Sequence, residues 1–187
     1  MSRPDYLSYF FRAGQTPFQV LPDLEDAVAE EILKKDTLWR ADGTYLSHRK
    51  RHERVLREKF VAKGGRPVRS HPIYMILGDS PAGPHDLRLE YDFKIVIPLD
   101  RFSAEEISFT YPDSLYQVPL EDLGKLYLER CADPAVYRVE EIEGVIERYQ
   151  VYEQNNHYVE AQVWVDRPLV TYRDRRGWEA CRAAGSG

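Results

Sequence analysis

The segment from His157 to Leu169, HYVEAQVWVDRPL, constrains the fold most, because its residues alternate in character. Apolar residues at every second position alternate with aromatic and polar ones, and this period of two predicts a β-strand with one apolar face. Asp166 and Pro168 end the strand, since proline cannot donate to a central ladder. Glu160 lies on the second face between two large rings. Two interpretations follow for this acid: a solvated surface charge, or a carboxylate in the wall of an aromatic cleft.

The composition is that of one globular domain. The chain has 187 residues, of which 43% are apolar and 30% charged, enough for a single compact core. No run of about 18 apolar residues is present, so no membrane span is expected. The N-terminus lacks the pattern of a secretory signal. Cys131 and Cys181 lie too far apart for a metal spacing or a disulfide framework, which predicts a reducing, cytoplasmic location.

The order of the elements predicts an α+β fold. Periodicity and turn residues indicate strands at 6–12, 71–78, 89–99, 107–110 and 157–169, and helices at 23–35, 44–63, 120–131 and 139–149. We expect a single α+β domain over residues 1–170, with a bent or split mixed β-sheet and flanking helices. Residues 171–187 are expected to form a weakly ordered C-terminal tail.

The charge is concentrated in one segment. Between His48 and Arg69 nine basic residues face two acids, a net charge of +7, whereas the rest of the chain has 17 basic and 29 acidic residues, a net charge of −12. This asymmetry indicates a localised anionic partner such as DNA or RNA; a solvated helix face is the alternative. The candidate nucleic-acid-binding residues are Arg49, Lys50, Arg54, Arg57, Lys63, Arg66 and Arg69.

Two arrangements could hold a metal ion. His48 and His52 have the i, i+4 spacing of helical ligands, but the surrounding arginines and lysine would repel a divalent cation, so no metal site is assigned there. Asp79, followed later by Asp92 and Lys94 on one face of a strand, has the residue types of a magnesium-dependent nuclease. An exposed ion pair across neighbouring strands is the simpler alternative for the second set, because D-x-K is common by chance.

A third set of residues spans the chain. Arg12 ends an aromatic strand as FFRAG, Tyr74 lies within RPVRSHPIYMILG, and Glu160 lies within YVEAQVWV. In this order the three resemble the ADP-ribosyltransferase superfamily, and most of all its DNA-targeting toxins. The resemblance departs from the family pattern at three places. No S-T-S occurs on a middle strand, and no histidine follows the aromatic residues of the first strand. Tyr158 stands two residues before the acid, where arginine- and asparagine-modifying members have Gln or Glu.

The resemblance implies an ADP-ribosyltransferase-like fold and cleavage of NAD, which is then a substrate. Glu160 would be the catalytic residue, Arg12 would pair with the pyrophosphate, Tyr74 would brace the nicotinamide ring, and Arg51 would contribute to cofactor binding. The implied activity is transfer of ADP-ribose, with nucleic acid as one candidate acceptor. Two alternatives remain open: a non-catalytic nucleic-acid- or nucleotide-binding protein that uses the basic segment 48–69, and the magnesium-dependent nuclease.

Overall fold

The computed structural model describes residues 3–35, 45–81, 86–111, 114, 135–153, 158–174 and 178–181. The strands are β1 (Tyr6–Phe11), β2 (Ile73–Leu77), β3 (Phe93–Pro98), β4 (Ile107–Thr110), β5 (Glu160–Val163) and β6 (Trp178–Ala180). The α-helices are α1 (Asp26–Lys35), α2 (Tyr45–Ala62), α3 (Leu87–Glu90) and α4 (Ile142–Tyr149). The α+β class is therefore confirmed. None of the described helices combines the length and apolar character needed to cross a bilayer.

The six strands form one sheet in the order β4-β5-β2-β1-β3-β6. Every neighbouring pair is antiparallel. The expectation of a mixed or split sheet is therefore wrong. Strands β2 and β3 run in the same direction, but β1 lies between them and pairs with both, so they never meet as a parallel pair. Strand β5 separates β2 from β4 in the same way.

One face of the sheet forms the main hydrophobic core. Alternate residues of each strand point to this face, including Leu7, Ile95 and Ile97, and all three are fully buried. Helix α4 covers them with Ile142, Val145 and Ile146, whose i, i+3, i+4 spacing gives the helix one apolar side.

The other face is polar toward β4 and β5, and α2 covers part of it. Leu56 and Phe60 of α2 pack with Trp164 and Val136 in a second apolar cluster. The rings of Phe60 and Trp164 are stacked with centroids 6.2 Å apart. Just beyond the end of α2, the backbone N–H of Gly65 donates to the Phe60 carbonyl at 2.9 Å, so this glycine takes part in closing the helix. The basic segment is thus packed against the sheet over part of its surface.

Several boundaries differ from the sequence-based expectations because short-range patterns do not show where pairing stops. Strand β5 covers only Glu160–Val163, and a 3₁₀-helix occupies Arg167–Tyr172. The first two residues of the expected strand at 89–99 belong instead to helix α3. Asp86 caps this helix by accepting a hydrogen bond from the Arg88 backbone N–H at 3.0 Å. The expected helix at 120–131 lies outside the described residues. Within the expected tail, Trp178–Ala180 forms β6 and pairs with β3.

Candidate functional site

A cleft of about 150 Å³ opens on the polar face of the sheet. Its walls come mainly from β1, β2 and β5, with α3 and two further tyrosines closing the sides. Ser8, Ile76 and Glu160 are direct partners across these three neighbouring strands, so their side chains point to the same side. The lining residues are Ser8, Phe10, Tyr74, Met75, Ile76, Leu87, Tyr91, Tyr158 and Glu160.

Glu160 is held firmly in the cleft wall and is only 7% exposed. Its Oε1 atom accepts from the Ser114 hydroxyl at 2.6 Å and backbone N–H at 3.2 Å, from Gln162 Nε2 at 2.8 Å and from the Thr110 hydroxyl at 3.3 Å. A buried carboxylate is costly unless donors surround its charge. The solvated-surface interpretation of Glu160 is therefore excluded.

Tyr74 lies on β2 beside β5 and lines the same cleft as Glu160. The Arg49 guanidinium carbon lies 4.0 Å from the centroid of its ring, a cation–π contact. Burial raises the pKa of the Tyr74 hydroxyl well above its usual range. Both this hydroxyl and that of Ser8 are buried without a hydrogen-bond partner in the described part of the chain. Buried hydroxyls without a partner are uncommon, because each loses its hydrogen bonds to water and gains none in return.

A charged cluster behind Tyr74 fixes Arg49. Glu53 is fully buried on α2, and its two carboxylate oxygens contact Arg49 Nε at 2.5 Å and His71 Nδ1 at 2.6 Å. Burial acts to raise the pKa of the Glu53 carboxyl, but the hydrogen bond to His71 and the charge of Arg49 outweigh it, so the net pKa is lowered. Arg49 also donates to the Tyr45 hydroxyl at 3.2 Å. The guanidinium therefore has a defined position beside the cleft.

Arg12 lies at the rim and not in the wall. It is exposed just beyond the end of β1, and its guanidinium carbon lies 5.6 Å from the ring centroid of Tyr91, which does line the cleft. Its Nε atom donates to the Glu90 carbonyl at 3.4 Å. Two of the three residues that carry the family resemblance thus share the cleft, and the third borders it.

Arg51 does not reach the cleft. It is exposed, and two residues along an α-helix correspond to about 200° of rotation, so Arg49 and Arg51 point to opposite sides of α2. The arginine that contacts Tyr74 is Arg49, which we had grouped with the nucleic-acid-binding candidates.

The cations of the basic segment are largely engaged within the protein. Arg69 pairs with Asp23 and, at 2.6 Å, with Asp166. Arg57 donates to the carbonyls of Pro67 and of Arg69 at 3.1 and 3.3 Å. Further pairs are Lys50–Asp26 at 2.5 Å, Arg54–Glu58 at 2.9 Å, Lys63–Glu141 at 2.8 Å and Arg66–Glu105 at 3.3 Å. Much of the positive charge is therefore compensated locally.

The residues of the nuclease alternative have structural partners. Lys94 pairs with Asp79 at 3.4 Å and with Glu179 at 3.5 Å. Asp92 instead accepts from the backbone N–H of Ala13 at 2.8 Å and closes the turn after β1. Among the described residues, no group of three histidine, cysteine, aspartate or glutamate side chains could hold a metal ion.

Sequence reasoning missed several residues of the site. The period of two places Gln162 on the same face as Glu160, but this pattern alone gave Gln162 no role in the site. Ser114 and Thr110 could not have been found from the sequence, since only the pairing of β4 with β5 brings this part of the chain to the acid.

Comparison of the chain with family models, with curated proteins and with solved structures found no match.

Proposed function

We propose that this protein is an NAD-dependent ADP-ribosyltransferase in which Glu160 is the catalytic carboxylate. The observation that carries the proposal is the shared cleft: Tyr74 and Glu160 lie on adjoining strands, and the Arg49 guanidinium lies against the Tyr74 ring. An aromatic ring can stack on nicotinamide, a carboxylate can stabilise an oxocarbenium-like charge, and a guanidinium can bind phosphate oxygens. The family resemblance of the sequence supports the same activity.

The chemistry is cleavage of the bond between the nicotinamide nitrogen and ribose C1′. As this bond breaks, positive charge develops on the ribose in an oxocarbenium-like state, and nicotinamide leaves with the bonding electrons. A nucleophilic atom of the acceptor, or of water in hydrolysis, forms the new bond to C1′ and releases its proton to the solvent. A carboxylate beside the ribose stabilises that charge and accepts a hydrogen bond from the 2′-hydroxyl. In this mechanism Glu160 supplies the negative charge at a site largely protected from water, where electrostatic stabilisation is strong.

The remaining residues bind and orient NAD in this proposal. The rings of Phe10, Tyr91 and Tyr158 offer flat apolar surfaces for the nicotinamide or adenine ring. Arg12 at the rim is accessible to the pyrophosphate, whose oxygens suit a forked guanidinium. Arg49 takes the place of Arg51 as the cofactor-binding arginine of α2.

Nucleic acid remains a candidate acceptor for the ADP-ribose, although the basic segment contributes less to that proposal than its sequence suggests. Cations that pair with acids inside the protein release few counterions when a phosphate backbone approaches. The two alternatives are correspondingly weaker. A purely charge-driven nucleic-acid-binding protein would need the paired cations, and a nuclease would need Asp92, which closes a turn.

The direct test is nicotinamide release from NAD by the native protein and by Glu160→Gln. The glutamine keeps an acceptor oxygen for the surrounding donors but has no charge, so we expect NAD cleavage to fall by about 10²- to 10³-fold, with the melting temperature nearly unchanged. Glu179→Gln is the matched control, an acid on the edge strand away from the cleft, and should retain native activity.

The acceptor is tested in the same assay. Single-stranded DNA, RNA and a mixture of peptides are each incubated with the protein and NAD, and mass spectrometry measures the mass added to each. Nicotinamide release without added mass would indicate hydrolysis of NAD. Activity retained in Glu160→Gln, or no NAD cleavage by the native protein under any condition, would refute the proposal.

A further inference from the structure

A line of hydrogen-bonded side chains runs through the sheet and ends on Glu160. Trp164 Nε1 donates to the Ser108 hydroxyl at 2.9 Å, and this hydroxyl donates to Gln162 Oε1 at 3.0 Å. Gln162 Nε2 then donates to the Thr110 hydroxyl at 2.9 Å and to Glu160 Oε1 at 2.8 Å. We refer to Trp164, Ser108, Gln162 and Thr110 as the relay.

The register of β4 and β5 creates the relay. Ser108 is the direct partner of Gln162, and Thr110 is the direct partner of Glu160, so the four side chains stand in two adjacent rows on one face. Trp164, Ser108 and Gln162 are fully buried, and Thr110 is 2% exposed. Buried polar groups must find partners inside the protein, so each bond of the relay restricts the next one.

The chemistry of the donors gives the relay one direction. An indole N–H can only donate, so the Ser108 oxygen must accept from Trp164. The single hydroxyl proton of Ser108 then goes to Gln162 Oε1, which places the amide nitrogen of Gln162 toward Thr110 and Glu160. Thr110 accepts from that nitrogen and donates its own proton to Glu160. Within the relay, Gln162 and Thr110 therefore donate to the carboxylate itself, whereas Trp164 and Ser108 act on it only by orienting the Gln162 amide.

We infer that Gln162 is a positioning residue for Glu160, and that Trp164, acting through Ser108, sets the orientation of its amide. The relay holds Oε1 in a fixed place and favours the ionised carboxylate, because hydrogen bonds from donors stabilise the charged form. Its use in catalysis rests on the proposed NAD cleavage, whereas its effect on the Glu160 carboxylate does not. Gln162 touches no reacting atom in this account and acts only through Glu160.

The experiment is a titration of Glu160 followed by carbon NMR. The protein is labelled with ¹³C at the glutamate carboxyl carbon, and the Glu160 resonance is identified as the one missing from Glu160→Gln. In Gln162→Met, which keeps the length of the side chain and removes the amide, we expect the titration midpoint of Glu160 to move to higher pH. In the NAD assay the kcat should fall about tenfold, with KM changed less than twofold, since ground-state binding is retained.

Two further variants keep the test informative if Gln162→Met folds poorly. Trp164→Phe removes the indole N–H together with part of the buried ring, and Ser108→Ala removes the hydroxyl with little change in volume. Both should move the Glu160 midpoint in the same direction by a smaller amount. Val163→Ala is the control, because Val163 is a fully buried neighbour on the opposite face. It should lower stability without changing the midpoint.

The outcomes separate the relay from the proposed function. A midpoint in folded Gln162→Met equal to that of the native protein overturns the inference, whatever the activity on NAD. An unchanged midpoint in both Trp164→Phe and Ser108→Ala overturns the role given to Trp164. A shifted midpoint in a protein that never cleaves NAD supports the relay and refutes the proposed function alone.

Discussion

At the scale of single residues, the site depends on how buried polar groups are compensated. Glu160 and Glu53 are both acids with almost no exposure, and each is surrounded by donors or cations. The hydroxyls of Tyr74 and Ser8 are buried without such compensation among the described residues. The difference separates polar groups that the fold itself satisfies from polar groups that it buries at a cost. Glu160→Gln, Tyr74→Phe and Glu53→Gln test this division.

Tyr74→Phe removes one of the uncompensated hydroxyls. Because a buried hydroxyl without a partner stabilises nothing, we expect the free energy of unfolding to stay the same or to rise by up to about 1 kcal/mol. If NAD forms a hydrogen bond with this hydroxyl, the KM for NAD should rise about tenfold in the variant, because one hydrogen bond is lost. Urea unfolding and steady-state kinetics measure the two effects, with Tyr149→Phe outside the cleft as control. A loss of stability above about 2 kcal/mol would show that the hydroxyl has a structural partner.

Glu53→Gln removes the charge that holds Arg49 and His71. We expect a loss of about 3 kcal/mol of stability at pH 7, because a buried cation then lacks its counter-ion. The pKa of Glu53 is lowered in the folded protein, so the native state binds fewer protons there than the unfolded chain. The stability that the ionised Glu53 contributes is fully present above the ordinary glutamate pKa of about 4.3, and it is lost as the pH falls through the lowered pKa of the folded state.

The difference in stability between the native protein and Glu53→Gln should therefore shrink below about pH 4. Urea unfolding at a series of pH values measures it. Glu58→Gln is the control, because Glu58 forms an exposed pair with Arg54 that contributes little, about 0.5 kcal/mol or less. A difference that stays constant down to the acid limit would contradict the assignment of the pKa shift to Glu53.

At the scale of elements, α2 is the part that links the basic segment to the site. It packs on the sheet through Leu56 and Phe60, presents Arg49 to Tyr74, and ends at the two glycines. Of its other cations, Lys50 pairs with Asp26 of α1 and Arg54 pairs with Glu58 of the same helix, and just beyond its end Lys63 pairs with Glu141. The helix is therefore a structural support of the cleft as well as a charged surface.

Gly65→Ala tests the packing at the end of α2. A Cβ atom at this position would lie 2.6 Å from ring atoms of Phe60, which is fully buried against Trp164. We expect a loss of about 1–3 kcal/mol, because the ring cannot move away without disturbing the second apolar cluster. Calorimetry or urea unfolding measures the loss.

Gly144→Ala provides the comparison for Gly65→Ala. Gly144 lies in α4, and a Cβ atom there would meet nothing within 4 Å. Alanine should stabilise the protein by about 0.5–1 kcal/mol through its higher helix propensity. Equal effects of the two substitutions would mean that the contact with Phe60 does not restrict Gly65.

At the scale of the whole molecule, the sheet is completed by a strand from the end of the described chain. Strand β6 pairs with β3 and covers an edge that would otherwise expose Phe93 and Ile95. Trp178 anchors it: the indole packs edge-on against Phe11 at 4.7 Å between centroids, and Nε1 donates to the Tyr172 carbonyl at 2.9 Å. The C-terminal segment thus contributes to the main core.

Trp178→Ala should lower the free energy of unfolding by about 3 kcal/mol, near the lower end for removal of a packed indole, because Trp178 is only partly buried. It should also increase self-association, since β3 then presents a less protected edge. Urea unfolding and sedimentation velocity measure the two effects, with Val170→Ala, at an exposed position, as control. A free energy of unfolding equal to that of the native protein would show that residues 178–180 do not stabilise the fold, as expected of a tail.

The amino-acid sequence by itself determined the features that depend on near neighbours. The alternation around Glu160 placed that acid and Gln162 on the same face of a strand, and the apolar spacing at 142–149 predicted α4. The α+β class followed from the order of such segments. These features are local because the strand and helix periods act over a few residues.

Only the tertiary structure decided what lies next to what. It placed β5, β2 and β1 side by side, so that Glu160, Tyr74 and Ser8 meet at one cleft. It also brought Arg49, and not Arg51, into contact with the Tyr74 ring, and it placed Asp166 beside Arg69, which is 97 residues away in the sequence. Such choices depend on which distant segments pack together, and the energy that selects them comes from burial and pairing in the complete fold.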